Sequence, residues 1–253
     1  MSAPVRLAAL ALALTAASPA FAEEPPITPY RPSVSSPAQL PATGQLEFEA
    51  GGLFAKTDEA RRASVPVLFK LAFSEQWGLL VGGEAFVSSR EGAQRARGVG
   101  DTNVVLKRAF VLDPATALGL EFGAKLPTAK DSIGSGHADY TVNGIVSRDF
   151  GSVHMDANLN LTSLGGVGAG EGRVQDGLSA SFSTALGEQW GITGELSGTR
   201  RAGVASTAQA LVALSYSPSK RLTIDVGLAH GLNAASTAWQ LFSGLVLPIA
   251  KLW

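Results

Sequence analysis

From Gly44 to the C-terminus, apolar and polar positions alternate with a period of two, the signature of strands with two unlike faces. In residues 64–73, Val65, Val67, Phe69, Leu71 and Phe73 share one parity; Ser64, Pro66, Lys70 and Ala72 share the other, with Leu68 the exception. Residues 153–162 are the cleanest case, with Val153, Met155, Ala157, Leu159 and Leu161 set against His154, Asp156, Asn158, Asn160 and Thr162. Twelve such segments are legible, near 44–55, 63–73, 77–88, 100–112, 116–127, 139–149, 152–163, 175–185, 190–200, 207–217, 221–231 and 237–248. Their length suits strands of about 9–11 residues that cross a bilayer at a tilt.

The connections alternate in character. Ser74–Gln76, Asp113–Ala115, Phe150–Gly151, Gly187–Gln189 and Ser217–Lys220 are tight turns. Lys56–Arg62, Ser89–Val99, Thr128–Ala138, Leu164–Val174, Arg201–Ser206 and Leu232–Ser236 are mostly longer and rich in Gly or charge. Short turns on one side and long loops on the other are the pattern of outer-membrane barrels, and an even strand number puts both termini in the periplasm. The pattern therefore predicts an all-β chain, an antiparallel transmembrane β-barrel of about 12 strands.

Composition supports this. The chain is 45% hydrophobic and only 16% charged, which suits lipid contact better than a soluble enzyme. No stretch after the first residues is long enough for a membrane helix, so a spanning chain must close as a barrel. The net charge of −1 gives no basic excess for nucleic acid. With no Cys and three scattered His, the sequence offers no metal site, and no cofactor is implied.

Residues 1–22 read as a signal peptide. Arg6 precedes an Ala/Leu run, and Ala20-Phe21-Ala22 supplies small residues for cleavage before Glu23. Residues 23–43 carry six prolines, which exclude helix and central strand. They read as a Pro-rich periplasmic leader, a linker, with a segment tucked into the lumen as the alternative. Residues 44–253 form the barrel, and the expected location is the bacterial outer membrane.

Two distributions bear on the barrel. The aromatics from Phe48 onward take the lipid-facing parity except Phe86 and Phe242, and several flank the short turns, where a periplasmic girdle belongs. The strand charges Glu47, Glu49, Lys70, Glu84, Asp101, Lys107, Glu121, Lys125, Asp139, Asp156, Glu195 and Asp225 take the opposite, lumen-facing parity. Arg108, Arg148 and Lys251 take lipid parity near the periplasmic edge, where long stems carry charge to the headgroups. Trp253, last in the chain, resembles the C-terminal signal read by the outer-membrane assembly machinery.

Arg31-Pro32, Pro37-Ala38 and the run Gly44 to Gly51, then Gly98-Val99-Gly100-Asp101-Thr102 with Lys107, and Leu126-Pro127-Thr128, resemble motifs of the outer-membrane β-barrel transporter family named after the MetA pathway of phenol degradation. The similarity spans most of residues 30–253, and Arg108 stands where an aromatic is expected. The resemblance implies a channel or transporter for small solutes, aromatic or hydrophobic compounds among them.

The lumen charges admit two readings: a solute-selecting constriction or a salt-bridge network that closes a narrow barrel. Acids outnumber lysines in that set, so an open pore lined by them predicts a bias toward cations or neutral solutes. An enzyme reading would need a Ser/His pair on the lipid face, and only His230, with Ser206 or Ser236, has a suitable position. A soluble β-sandwich would have to cover the outward aromatics with a second sheet. Gly165–Gly170 lacks the Lys-Ser/Thr of a phosphate loop and reads as a flexible outer loop. The expectation is a non-enzymatic channel whose partners are outer-membrane lipid and a small-molecule solute.

Overall fold

The computed structural model describes residues 24–57 and 59–253; the expected signal peptide lies outside the described residues. In chain order the strands are β1 (Gln45–Lys56), β2 (Ala60–Ala72), β3 (Trp77–Glu91), β4 (Gln94–Gly98), β5 (Thr102–Asp113), β6 (Thr116–Leu126) and β7 (Asp139–Phe150). They continue as β8 (Val153–Ser163), β9 (Val174–Ala185), β10 (Trp190–Arg201), β11 (Val204–Ser219), β12 (Leu222–Gly231) and β13 (Trp239–Lys251). All the strand pairings are antiparallel; β5 pairs with β3 rather than β4, and β1 pairs with both β2 and β13, so the sheet closes. Closure leaves no strand edge in lipid. The result is a twelve-stranded barrel with one extra strand, β4.

The faces follow the alternation. On β12, Thr223, Asp225 and Ala229 are buried while Ile224, Val226 and Leu228 are exposed on the outer surface. The same outward band includes Phe69, Phe122, Phe182, Trp190 and Trp239. An apolar belt this continuous is stable only against lipid. The barrel is thus of the transmembrane type. Its first and last strands begin and end together, with Gln45 opposite Lys251.

The structure differs from the sequence expectation in four places along the strands. The Ser89–Val99 connection is a β-hairpin: the outer half of β3 leaves β5 and pairs with β4 instead. The Arg201–Ser206 loop is a tight turn over Ala202-Gly203, with Gly203 in the left-handed region at φ 74°. Two bulges also swap faces. Val65 opposes Phe86 and Pro66 opposes Glu84, so Ala85 is an extra residue. Phe86, expected inside, is therefore 47% exposed on the outer face, and Val87 points inward with 0% exposure. Pro66, which has no N–H to give the ladder, sits at that bulge. Likewise Ile249 is extra between Pro248 and Ala250, and Lys251 comes to face Gln45, a lumen residue, rather than the lipid side.

Candidate transport lumen

Twelve strands about 4.8 Å apart, tilted by about 40°, enclose a backbone cylinder of about 12 Å radius. A segment on the axis then lies near the ~10 Å at which sheets pack face to face. The leader takes that position. Its prolines remove N–H groups that an extended chain would otherwise have to satisfy, and the N–H groups of Thr28, Tyr30, Val34, Ser35, Ser36 and Ala38 find acceptors on the barrel wall.

One side of the wall is charged. Glu47 on β1 and Lys70 on β2 face each other across the ladder, and Lys70 Nζ lies 3.1 Å from Glu47 and 2.5 Å from Glu49. Lys107 on β5 opposes Glu121 on β6 at 3.0 Å. Lys70 and Lys107 have 0% side-chain exposure, so these are buried pairs. Nearer the long loops, Lys125 lies 2.6 Å from Asp139 and 3.8 Å from Asp101, and Arg62 pairs with Glu84. Asp101 sits between β4 and β5 rather than within a strand, and accepts the Ala129 N–H at 3.0 Å.

The leader is threaded through this frame. Glu47 accepts the Thr28 N–H and Glu49 the Tyr30 N–H, the latter at 2.8 Å. Lys70 donates to the Thr28 carbonyl and Lys107 to that of Pro37. The Tyr30 ring lies between the two ammonium groups, 4.3 and 4.2 Å from its centroid. Arg31 makes a two-pronged bond to Asp225 of β12, with both N···O distances 2.9 Å. Its guanidinium rests over Gly51 of β1 and Gly244 of β13, which are directly paired; a Cβ on Gly244 would come within 2.6 Å of the Arg31 Cζ. Further on, Glu195 of β10 accepts the Val34 and Ser35 N–H groups at 2.8 and 2.9 Å. Asn158 of β8 exchanges two bonds with the Ser36 backbone, and the Ala38 N–H donates to Ser147. Ala38 packs on Ala117 and Ile145.

This overturns the linker reading of the leader: from Thr28 to Ala38 it lies inside the barrel. It also changes the meaning of the acidic lining. Glu47, Glu49, Glu195 and Asp225 each accept from leader donors. Asp156 accepts from Ser147 and approaches His154 Nε2 at 3.2 Å. The lumen set drawn from the strands omitted Arg31, Arg62 and His154. The imbalance of acids over lysines was the available signal that donors had to come from elsewhere in the chain.

The other side of the wall is rich in hydroxyls. Ser179 and Ser181 on β9, Thr193 on β10 and Thr223 on β12 face inward. Phe242 does too, packed with Leu211, Ala213 and Ala229. On the outside, the His230 ring stacks on Trp239 at 4.2 Å and its Nδ1 lies 2.7 Å from the Ala238 carbonyl. Ser236 Oγ donates to the Ala208 carbonyl.

No family model matches the chain, and no curated protein matches it. Solved structures do match it. The COG4313 outer membrane channel from Pseudomonas putida F1 is 14% identical, with a TM-score of 0.68 over 84% of this chain and 98% of that one. The KdgM porin is 12% identical (TM-score 0.56, 80% of this chain and 99% of that one). The NanC porin is 8% identical (TM-score 0.55, again 80% and 99%). At these identities the likeness is one of fold, and the fold is that of outer-membrane barrels.

Proposed function

We propose that the protein is an outer-membrane channel for small solutes whose bore is set by its own leader. The observation that carries this reading is a polar lumen with cavities reaching the leader from both ends. At the short-turn end, a cavity of about 670 Å³ is lined by His154, Asp156, Ser181 and the leader residues Thr28, Pro29, Arg31, Pro32 and Ser33. At the long-loop end, cavities of about 520 and 280 Å³ open on the charged and hydroxyl sides. A purely structural barrel has no need of such spaces, although its buried ion pairs would suit one. The names of the similar structures, channels and porins, agree with a passage role and with non-enzymatic work. Membership of the MetA-pathway family would add aromatic or hydrophobic compounds to the solutes; the wall itself favours hydrophilic ones.

Liposome swelling with sugars, amino acids and small aromatic acids tests the proposal, using the intact barrel and one lacking residues 23–43. Slow passage through the intact form and faster passage through the deletion are expected. No permeability in either form would reduce the protein to a structural barrel.

A further inference from the structure

The leader divides the lumen unequally. On the charged side, the outer cavity continues into a second of about 270 Å³, the two sharing Leu68, Gly82 and Asn103, and ends against Tyr30, Glu49 and Glu121. That floor is clamped by Lys70 and Lys107 through buried ion pairs. Past that floor the cavity meets Arg31 and Ser33, which also line the periplasmic cavity, and widening the way at Arg31 would have to part the two-pronged bond to Asp225.

On the hydroxyl side, the partition is thinner. Ser181, Thr193 and Ser215 line the periplasmic cavity, and Ser179, Ser197 and Thr207 the outer one. Along β9, Ser179 and Ser181 are next neighbours on the lumen face, and along β10 only Glu195 stands between Thr193 and Ser197. Across the gap runs the leader from Pro32 to Ser36, an arch between the anchors at Arg31 and Pro37. Glu195 and Asn158 hold it. Retraction of the arch would join the cavities without touching an ion pair. The outer cavity has no charged residue among the described residues that line it.

We infer that solutes pass along the β8–β11 side, beneath this arch, and that they are small, uncharged and hydroxyl-bearing, of polyol or monosaccharide size. Glu195 and Asn158 set the narrowest point. A wall of serine and threonine exchanges hydrogen bonds with such solutes as they shed water, and the outer cavity sets no fixed charge beside them. This inference rests on the channel reading above.

The test is swelling of proteoliposomes in glycerol, arabinose and lysine hydrochloride. The paired substitutions Glu195→Ala and Asn158→Ala free the arch, and arabinose entry should rise about fivefold. Ser197→Cys in this cysteine-free chain, modified by a bulky methanethiosulfonate after folding, should slow it by about the same factor. Asn103→Leu, on the charged side, should leave it unchanged. Heat-modifiable migration checks that each variant is folded. If Asn103→Leu slows entry and the modified Ser197→Cys does not, the route is on the charged side and the inference falls while the channel stands. Lysine entering as fast as arabinose overturns the solute class. If no solute enters through any form, including the leader deletion, the channel reading fails first.

Discussion

Replacing Arg31 with Ala removes the cation from a pair in which the Asp225 side chain is 1% exposed and the Arg31 side chain 16%. Stripping one partner from a buried pair costs about 3–5 kcal/mol, most of it the penalty of the orphaned charge. Here the loss has a ceiling, because the leader can leave and let water reach Asp225. Ordering the eleven residues from Thr28 to Ala38 costs about 11–22 kcal/mol in backbone entropy. The eight charge-assisted bonds to the leader return about 12–24 kcal/mol. The margin is therefore comparable to the contribution of Arg31, and Arg31→Ala should release the leader for a large fraction of the time.

Two assays read this. Guanidinium unfolding in detergent gives stability for Arg31→Ala, Asp225→Ala and the double variant. The double should be no worse than the poorer single, with a coupling energy of about 2 kcal/mol or more. Planar-bilayer recordings should show longer or larger openings in all three. Strictly additive stabilities, or conductance traces identical to the unaltered protein, would refute the latch.

Other expectations follow from the same contacts. Lys70→Met leaves Glu47 and Glu49 buried without their shared cation and should lower stability by about 3–5 kcal/mol, read as the guanidinium midpoint. The barrel lacking residues 23–43 loses Arg31 but keeps its acidic wall, so its reversal potential in a salt gradient should show cation preference; anion preference contradicts the charge assignment. Val34 is 58% exposed and Ser35 1%, so Val34→Cys should label with an impermeant thiol reagent while Ser35→Cys labels only when combined with Arg31→Ala.

The architecture was legible because a period-two pattern is a local property. Alternation along residues 153–162 needs no knowledge of partners, and the charges it placed inside include Glu47, Lys70, Lys107 and Asp225, all buried. Phe86 was misplaced because one extra residue at Ala85 inverts parity, and an insertion of one leaves little trace in composition. The leader was harder. Proline density announces extended chain but says nothing about where that chain goes. Its destination is written in the wall instead, in carboxylates without cations and in the glycines Gly51 and Gly244, and these read as a receptor only once β1 and β13 are brought side by side. Tyr30, Arg31 and Asn158 gained their roles from that long-range assembly.

The notch under Arg31 also bears on how the barrel is put together. Gly51 and Gly244 come from opposite ends of the chain and meet only when the first and last strands pair, with Asp225 one strand further on. Before closure there is no such site. A ligand that binds only the closed form stabilises that form, and here the ligand, Arg31, is tethered on the same chain upstream of Gln45, the start of β1. Docking and seam closure are therefore linked in both directions. The segment that obstructs the bore also rivets the joint at which the cylinder closes, and a barrel without it should close more slowly and open its seam more readily.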